Sequence, residues 1–219
     1  MFKIIRRIAF CFLIAVIILA GIQWKGYQKK SECRANALLY FKEEDYQKSI
    51  AYLEEAMDQV SIFGNEMDVD ISCYLAESYY QLGNYEKAVD IYDDLISSDG
   101  KESRFYLLKA EAYEAMDKNE EAVSVLQKGW EKTKESTFLD KICDSYMKTD
   151  QYEQALLYAQ KGVDAQNDQS ASFLFKEVVI YEKCQDYQSA YEKASEYVNL
   201  YPDDEKGQKE LEFLTTRIG

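Results

Sequence analysis

Between Leu75 and Leu95 the apolar and small residues return every three to four positions, in the stretch LAESYYQLGNYEKAVDIYDDL. That period is helical, and Gly83-Asn84 interrupts it in the middle. The pattern predicts two amphipathic helices joined by a tight turn. Neither helix buries its apolar stripe alone, so the pair must pack on itself and on its neighbours.

The same frame recurs along the chain. Tyr85 opens the second predicted helix, and its equivalents are Tyr46, Asn119, Tyr152 and Tyr187, with gaps of 39, 34, 33 and 35 residues. Three residues after each stands Ser49, Ala88, Ala122, Ala155 or Ala190. Six before each stands a tyrosine: Tyr40, Tyr79, Tyr113, Tyr146 and Tyr181. Nine before each stands Ala37, Ala76, Ala110, Cys143 or Val178. A small residue and a tyrosine three apart share one helix face. The small residue admits the partner helix and the ring fills the space beside it.

This pattern resembles the tetratricopeptide repeat, a helix-turn-helix unit of about 34 residues. Leu75, Ala76, Tyr79, Gly83, Tyr85, Ala88 and Tyr92 stand close to the family signature, and Asp45-Tyr46-Gln47-Lys48-Ser49 and Gln151-Tyr152-Glu153-Gln154-Ala155 repeat its second half. Leu200-Tyr201-Pro202 looks like the proline that closes a repeat. There are departures. The early tryptophan of the family is missing, Gly83 has no glycine counterpart, and the first gap holds about five extra residues around Phe63-Gly64-Asn65. The resemblance implies an all-α fold, a right-handed superhelical solenoid of about five repeats. The expected units are 31–64, 68–101, 103–135, 136–168 and 170–202, with a capping helix over 203–219. That last segment holds Leu211, Phe213, Leu214 and Ile218, after acidic residues that favour a helix start.

Composition agrees with a helical chain. There are 219 residues with one proline and nine glycines, too few turn formers for a sheet protein. The 19 tyrosines suit helix crossings, where a ring fills volume and its hydroxyl reaches a partner.

Residues 1–30 differ from the rest. Lys3, Arg6 and Arg7 precede fifteen uncharged residues from Ile8 to Ile22, and Trp24, Lys25, Lys29 and Lys30 follow. A bilayer span needs about 20 apolar residues, which the stretch reaches when counted from Ile4 with snorkelling basic side chains. The expectation is an uncleaved single-pass anchor. A cleaved signal peptide is the alternative, although no A-x-A-like site stands near Leu19-Ala20-Gly21. Basic residues are nearly balanced across the span, so orientation rests on the short basic head typical of export signals. The repeat domain is expected outside the cytoplasm, in a bacterial cell envelope, with a cytoplasm-facing domain as the alternative.

Charge narrows the partners. All 40 acidic residues lie beyond residue 30, against 20 of the 26 basic ones, a net of −20. Phosphate backbones select basic proteins, so nucleic acid is not an expected partner. Histidine is absent, which removes the usual general base and the Ser/His and Cys/His nucleophile systems. Cys11, Cys33, Cys73, Cys143 and Cys184 are widely spaced, with no C-x-x-C. Cys143 takes a packing position, and Cys33 is expected near the membrane with an exposed thiol. No catalytic site, cofactor or metal is expected. An enzyme with a carboxylate-based site is the remote alternative.

What remains is surface. In stacked hairpins of this type the first helices line a concave face. Periodicity places Leu38 and Phe41 there in the first unit, Asp70, Glu77 and Tyr80 in the second, Arg104, Glu111 and Glu114 in the third, Asp140 and Asp144 in the fourth, and Phe175 and Val179 in the fifth. The set reads as an acidic middle with apolar ends. It predicts a groove for a basic or amphipathic segment of a partner protein, steered by charge and anchored by apolar contact. Some family members hold an acidic peptide's carboxyl terminus with Lys and Asn; this groove lacks that basic set. The expected role is an interaction scaffold. An accessory subunit or chaperone of an envelope assembly is the alternative, and self-association through the repeat ends also fits.

Overall fold

The computed structural model describes residues 2–59, 65–165 and 169–219. Phe63 and Gly64, in the longer first gap, lie outside them. Among the described residues there are eleven helices and no strand. They group into two compact units, 1–99 and 100–219.

Unit 1 holds α1 (Phe2–Lys42), α2 (Tyr46–Met57), α3 (Asn65–Gln81) and α4 (Tyr85–Ser98). Unit 2 holds α5 (Ser103–Ala115), α6 (Asn119–Thr133), α7 (Thr137–Lys148), α8 (Tyr152–Asp164), α9 (Ser170–Lys183), α10 (Tyr187–Leu200) and α11 (Glu205–Ile218). Within each unit every helix packs on the next. The second helix of each pair begins at Tyr46, Tyr85, Asn119, Tyr152 or Tyr187, the positions that the periodicity marks.

Packing follows the predicted small-residue positions. Ala37, Ala76, Ala110, Cys143 and Val178 are buried on the first helices, and Ser49, Ala88, Ala122, Ala155 and Ala190 on the second. The tyrosines fill the adjoining space. Tyr40 stacks on Tyr52 with ring centres 5.5 Å apart, and Tyr146 stacks on Tyr158 at 5.7 Å. Tyr79 donates its hydroxyl proton to Glu54 at 2.5 Å. The Cys143 thiol donates to the Ala155 carbonyl at 3.4 Å, and burial pushes its pKa up to about 11. It is a packing group and not a nucleophile. Cys33 is also fully buried, in a core with Ala37, Leu53, Ala56 and Ile71. The exposure expected for it near the membrane is absent, because its side of α1 faces α2 and α3.

The turns inside the five helix pairs are built alike. Glu44, Gly83, Asp117, Asp150 and Gln185 have φ of 60°, 75°, 57°, 58° and 61°. The amide after each donates to the carbonyl of the tyrosine at the end of the first helix, for example Asn84 to Tyr79 and Gln151 to Tyr146, both at 2.9 Å. This is the Schellman closure, which satisfies carbonyls that a helix end leaves open. The missing glycines therefore do not mark different turns; four other residues accept the left-handed conformation. Asp45 and Asp186 then cap the following helices by accepting the amides of Lys48 and Ser189 at 3.2 and 3.1 Å. Such a cap contributes about 1 kcal/mol.

α1 runs unbroken for 41 residues. Its residues from Phe10 to Ile22 are exposed. By length and composition this helix is apolar enough to cross a membrane. Its later part is the first helix of the first pair, packed on α2 and α3.

Candidate functional site

The predicted inward residues occupy a constant register on the first helices, mostly twelve, eight and five residues before the second helix begins. The structure shows what surrounds them in each unit.

In unit 1, Arg34 of α1 donates from Nε to Asp70 of α3 at 2.5 Å. Phe41 meets Tyr74 edge-on at 5.1 Å and Tyr46 at 5.4 Å. Leu38 is half-buried on the same side of α1. Glu77, also half-buried, accepts from the Gln81 amide at 2.6 Å. Tyr80 packs edge-on against Tyr85 at 5.1 Å. Phe41 and Asp70 are thus tied across α1 and α3, while Glu77 and Tyr80 find their partners in or just beyond their own helix.

In unit 2 the charged residues are linked from helix to helix. Glu111 of α5 pairs with Lys141 of α7 at 3.5 Å, and Glu114 accepts from the Ser145 hydroxyl at 3.2 Å. Lys176 of α9 lies 2.9 Å from Asp140 of α7 and also contacts Asp144. Burial pulls Lys176 towards the neutral form, but its bonds to Asp144 and Asp140 outweigh this and hold its pKa above the ordinary value. Arg104 is exposed at the start of α5, its guanidinium 5.2 Å from the Phe105 ring.

One depression of about 370 Å³ gathers several of the predicted residues. Phe175, Val179 and Met147 are its apolar lining, and Asp144, Lys176 and Lys206 its charged rim. Lys206, from α11, holds its ammonium 3.9 Å from the Phe175 ring centre. Tyr197 backs the ring edge-on at 5.3 Å and donates its hydroxyl proton to Asp204 at 2.6 Å. Burial and then that bond push the Tyr197 pKa up to about 12. The same hydroxyl, with the Gly207 amide, holds Asp204 below the usual carboxylate range.

Asp140, Asp144, Phe175 and Val179 are therefore brought together, and Glu111 and Glu114 are fastened to the helix beside them. The basic residues Lys141, Lys176 and Lys206 are the members that periodicity misses. Each meets its partner about 30 residues away in sequence, one repeat on, where local charge rules do not reach. Among the described residues no cluster of Cys, Asp and Glu is arranged to hold a metal.

The comparisons agree with this architecture. A tetratricopeptide repeat family model matches residues 40–112, and a second model of the same description matches 103–129. A tetratricopeptide repeat protein from Parabacteroides merdae shares the fold at a TM-score of 0.62 and 16% identity, over 88% of this chain and 74% of that one. A TPR repeats protein from Bacteroides fragilis matches at 0.58 and 15%, over 86% and 98%. YrrB, described as a TPR protein with an unusual peptide-binding site, matches at 0.53 and 13%, over 79% and 87%. No curated protein matches in sequence. The recurring helix pairs, the two family models that match residues 40–112 and 103–129 and the fold shared with solved repeat proteins identify a tetratricopeptide-repeat fold.

Proposed function

We propose that the chain is a membrane-anchored scaffold that binds a basic or amphipathic segment of a partner protein on the inward face of its first helices. A tetratricopeptide fold is by itself the mark of a protein–protein interaction scaffold. The observation that carries the finer reading is the depression at Phe175. An apolar side chain of a partner fits over Met147, Phe175 and Val179, while Asp144 and Asp204 offer carboxylates to a neighbouring basic residue. A peptide-binding site is described for YrrB, which supports binding of a peptide segment here as well.

The ion pairs refine the charge argument. Glu111, Asp140 and Asp144 already meet Lys141 or Lys176, so their field is partly compensated within the protein. Charge then guides the partner, and the apolar lining supplies most of the affinity. The exposed apolar helix of residues 10–24 supports anchoring, and the basic head before it supports a repeat domain outside the cytoplasm of a bacterial cell. The 1–30 and 31–219 division is likewise part of this reading.

Photo-crosslinking from two positions in native membranes tests it. A photoreactive residue replaces Val179 in one full-length variant and exposed Leu157, on a second helix, in the other. The reading expects one partner joined from position 179 and not from 157, lost when Phe175 is changed to Ser. Equal capture from both positions refutes the inward face as the binding surface.

A further inference from the structure

We infer that an arginine side chain of the partner takes the outer face of the Phe175 ring, and that Lys206 occupies this place until the arginine displaces it. This rests on the reading that a partner segment binds at the depression. It adds which residue the segment presents and what that residue must move.

The chain already shows what the ring attracts. Phe175 is 9% exposed, and the ammonium of Lys206 stands 3.9 Å from its ring centre. An aromatic face carries negative potential and draws a cation. The two ammonium groups of the depression are held differently. Lys176 is committed: its side chain is 18% exposed, 2.9 Å from Asp140 and in contact with Asp144. Lys206 is exposed, and among the described residues no carboxylate forms an ion pair with it. Asp204 feels its charge, but the Asp204 oxygens are engaged by the Tyr197 hydroxyl and the amides of Lys206 and Gly207. Lys206 also lies in the first turn of α11, where the helix dipole disfavours a cation. What holds it is the ring.

An exposed contact of this kind favours the closed form by a factor of about two to five. The ring is then open about a sixth to a third of the time, and an entering cation binds about three- to sixfold more weakly than to a bare ring. A second lysine would only exchange one ammonium for another. A guanidinium does more, because its plane lies flat on a ring while its fork of donors reaches a carboxylate. Asp144 offers one. It meets Lys176 through Oδ1, its side chain is 55% exposed, and a carboxylate accepts from several donors. The wider field agrees. Residues 137–148, 170–183, 187–200 and 203–218, which form and surround the depression, carry eleven carboxylates and eight basic side chains, Lys206 included. A further cation is attracted there and not repelled.

Methionine methyl spectra test the inference in the full chain, held in dodecyl maltoside micelles. The sequence has five methionines, and the Met147 signal is the one lost in Met147→Leu. The probes are N-acetyl-leucyl-arginine amide, N-acetyl-leucyl-lysine amide and N-acetyl-leucine amide, titrated at one ionic strength. The arginine probe is expected to move the Met147 signal. Its midpoint should be about three- to sixfold lower in Lys206→Gln, and higher in Lys206→Arg, whose guanidinium is a stronger resident. The lysine probe should bind about threefold more weakly than the arginine probe. Equal midpoints in the parent protein and both Lys206 variants overturn Lys206 as the resident occupant. Equal midpoints for the arginine and lysine probes overturn the assignment to arginine. A leucine probe as effective as the arginine probe overturns the cation site and leaves the apolar depression standing as a binding place. No movement with any probe in any variant overturns the depression as the binding place and this inference together.

Discussion

Gly162 of α8 lies directly on the ring of Phe173 of α9, so close that a β-carbon on the glycine would come within 2.3 Å of ring atoms. Gly129 of α6 and Phe138 of α7 repeat the relationship one unit earlier, at the same 2.3 Å. At both junctions a flat ring replaces the side chain of the helix before it. Gly162→Ala raises helix propensity by about 1 kcal/mol, but overpacking against a buried ring costs about 1–3 kcal/mol. The net expectation is destabilisation by about 1 kcal/mol, seen as a lower urea midpoint. Adding Phe173→Leu should recover part of the loss, which separates a steric cause from a backbone one.

The turns give a prediction with opposite signs at equivalent positions. Gly83 has φ 75° and open space where a β-carbon would stand, so Gly83→Ala tests backbone strain alone. It should destabilise by about 1 kcal/mol. Gln185 holds the same conformation at φ 61° without being glycine. Gln185→Gly relieves about 1–2 kcal/mol of strain and returns about 0.5–1 kcal/mol through the freer unfolded chain. A net stabilisation of about 0.5 kcal/mol is expected, again by urea denaturation. Destabilisation by both substitutions would show that the turn is not strained at residue 185.

These two features mark how far the sequence carries the structure. The helix pairs are legible because a small residue and a tyrosine recur three apart, and burial makes those positions intolerant of anything else. The turns are only half legible. Gly83 announces one, but Glu44, Asp117, Asp150 and Gln185 take the same conformation under the constraint of the Schellman bonds around them. Gly129 and Gly162 look like weak points in helices until the rings facing them are known. In the candidate site, Phe175, Val179, Asp140 and Asp144 are found by periodicity. Lys141, Lys176 and Lys206 are not, because their partners belong to neighbouring repeats or the last helix. The composition shift near residue 30 is plain in the sequence, yet α1 continues through it, since backbone hydrogen bonds do not depend on what surrounds the helix.

Glu177 of α9 is a buried carboxylate, 2.9 Å from Lys193 of α10, which also reaches Glu196 at 3.1 Å. Burial raises the Glu177 pKa, with Lys193 opposing the shift. Removing the cation alone, by Lys193→Met, leaves that charge uncompensated and should cost about 3–5 kcal/mol. Replacing both, with Glu177→Leu and Lys193→Met, should cost much less, because the pair repays little more than its own desolvation. A double-mutant cycle from denaturation curves measures the difference. Equal losses in the single and double variants would place the effect in packing and not in charge.

Glu182 of α9 faces Glu210 of α11, where the last helix covers the repeats. Burial, then the hydrogen bond and charge of Glu210, push the Glu182 pKa up from 4.5 to about 7, against a lowering from Lys183. The folded unit 2 therefore holds a proton that the unfolded chain releases between those values. Stability from this contact is complete below about pH 4.5 and is lost as pH rises through 7. The site is partly open to solvent, so the loss is expected to be about 1 kcal/mol at most. Asp186 and Asp204, which are held below the ordinary range, change stability only at lower pH and do not contribute to this window. Glu177 shares the direction of Glu182, so the two must be separated by mutation. Urea midpoints should fall between pH 5 and pH 8 for the parent protein. Glu182→Gln carries the neutral form at every pH, and should keep its low-pH stability while flattening that fall. An unchanged slope in the variant would assign the pH dependence to Glu177 instead.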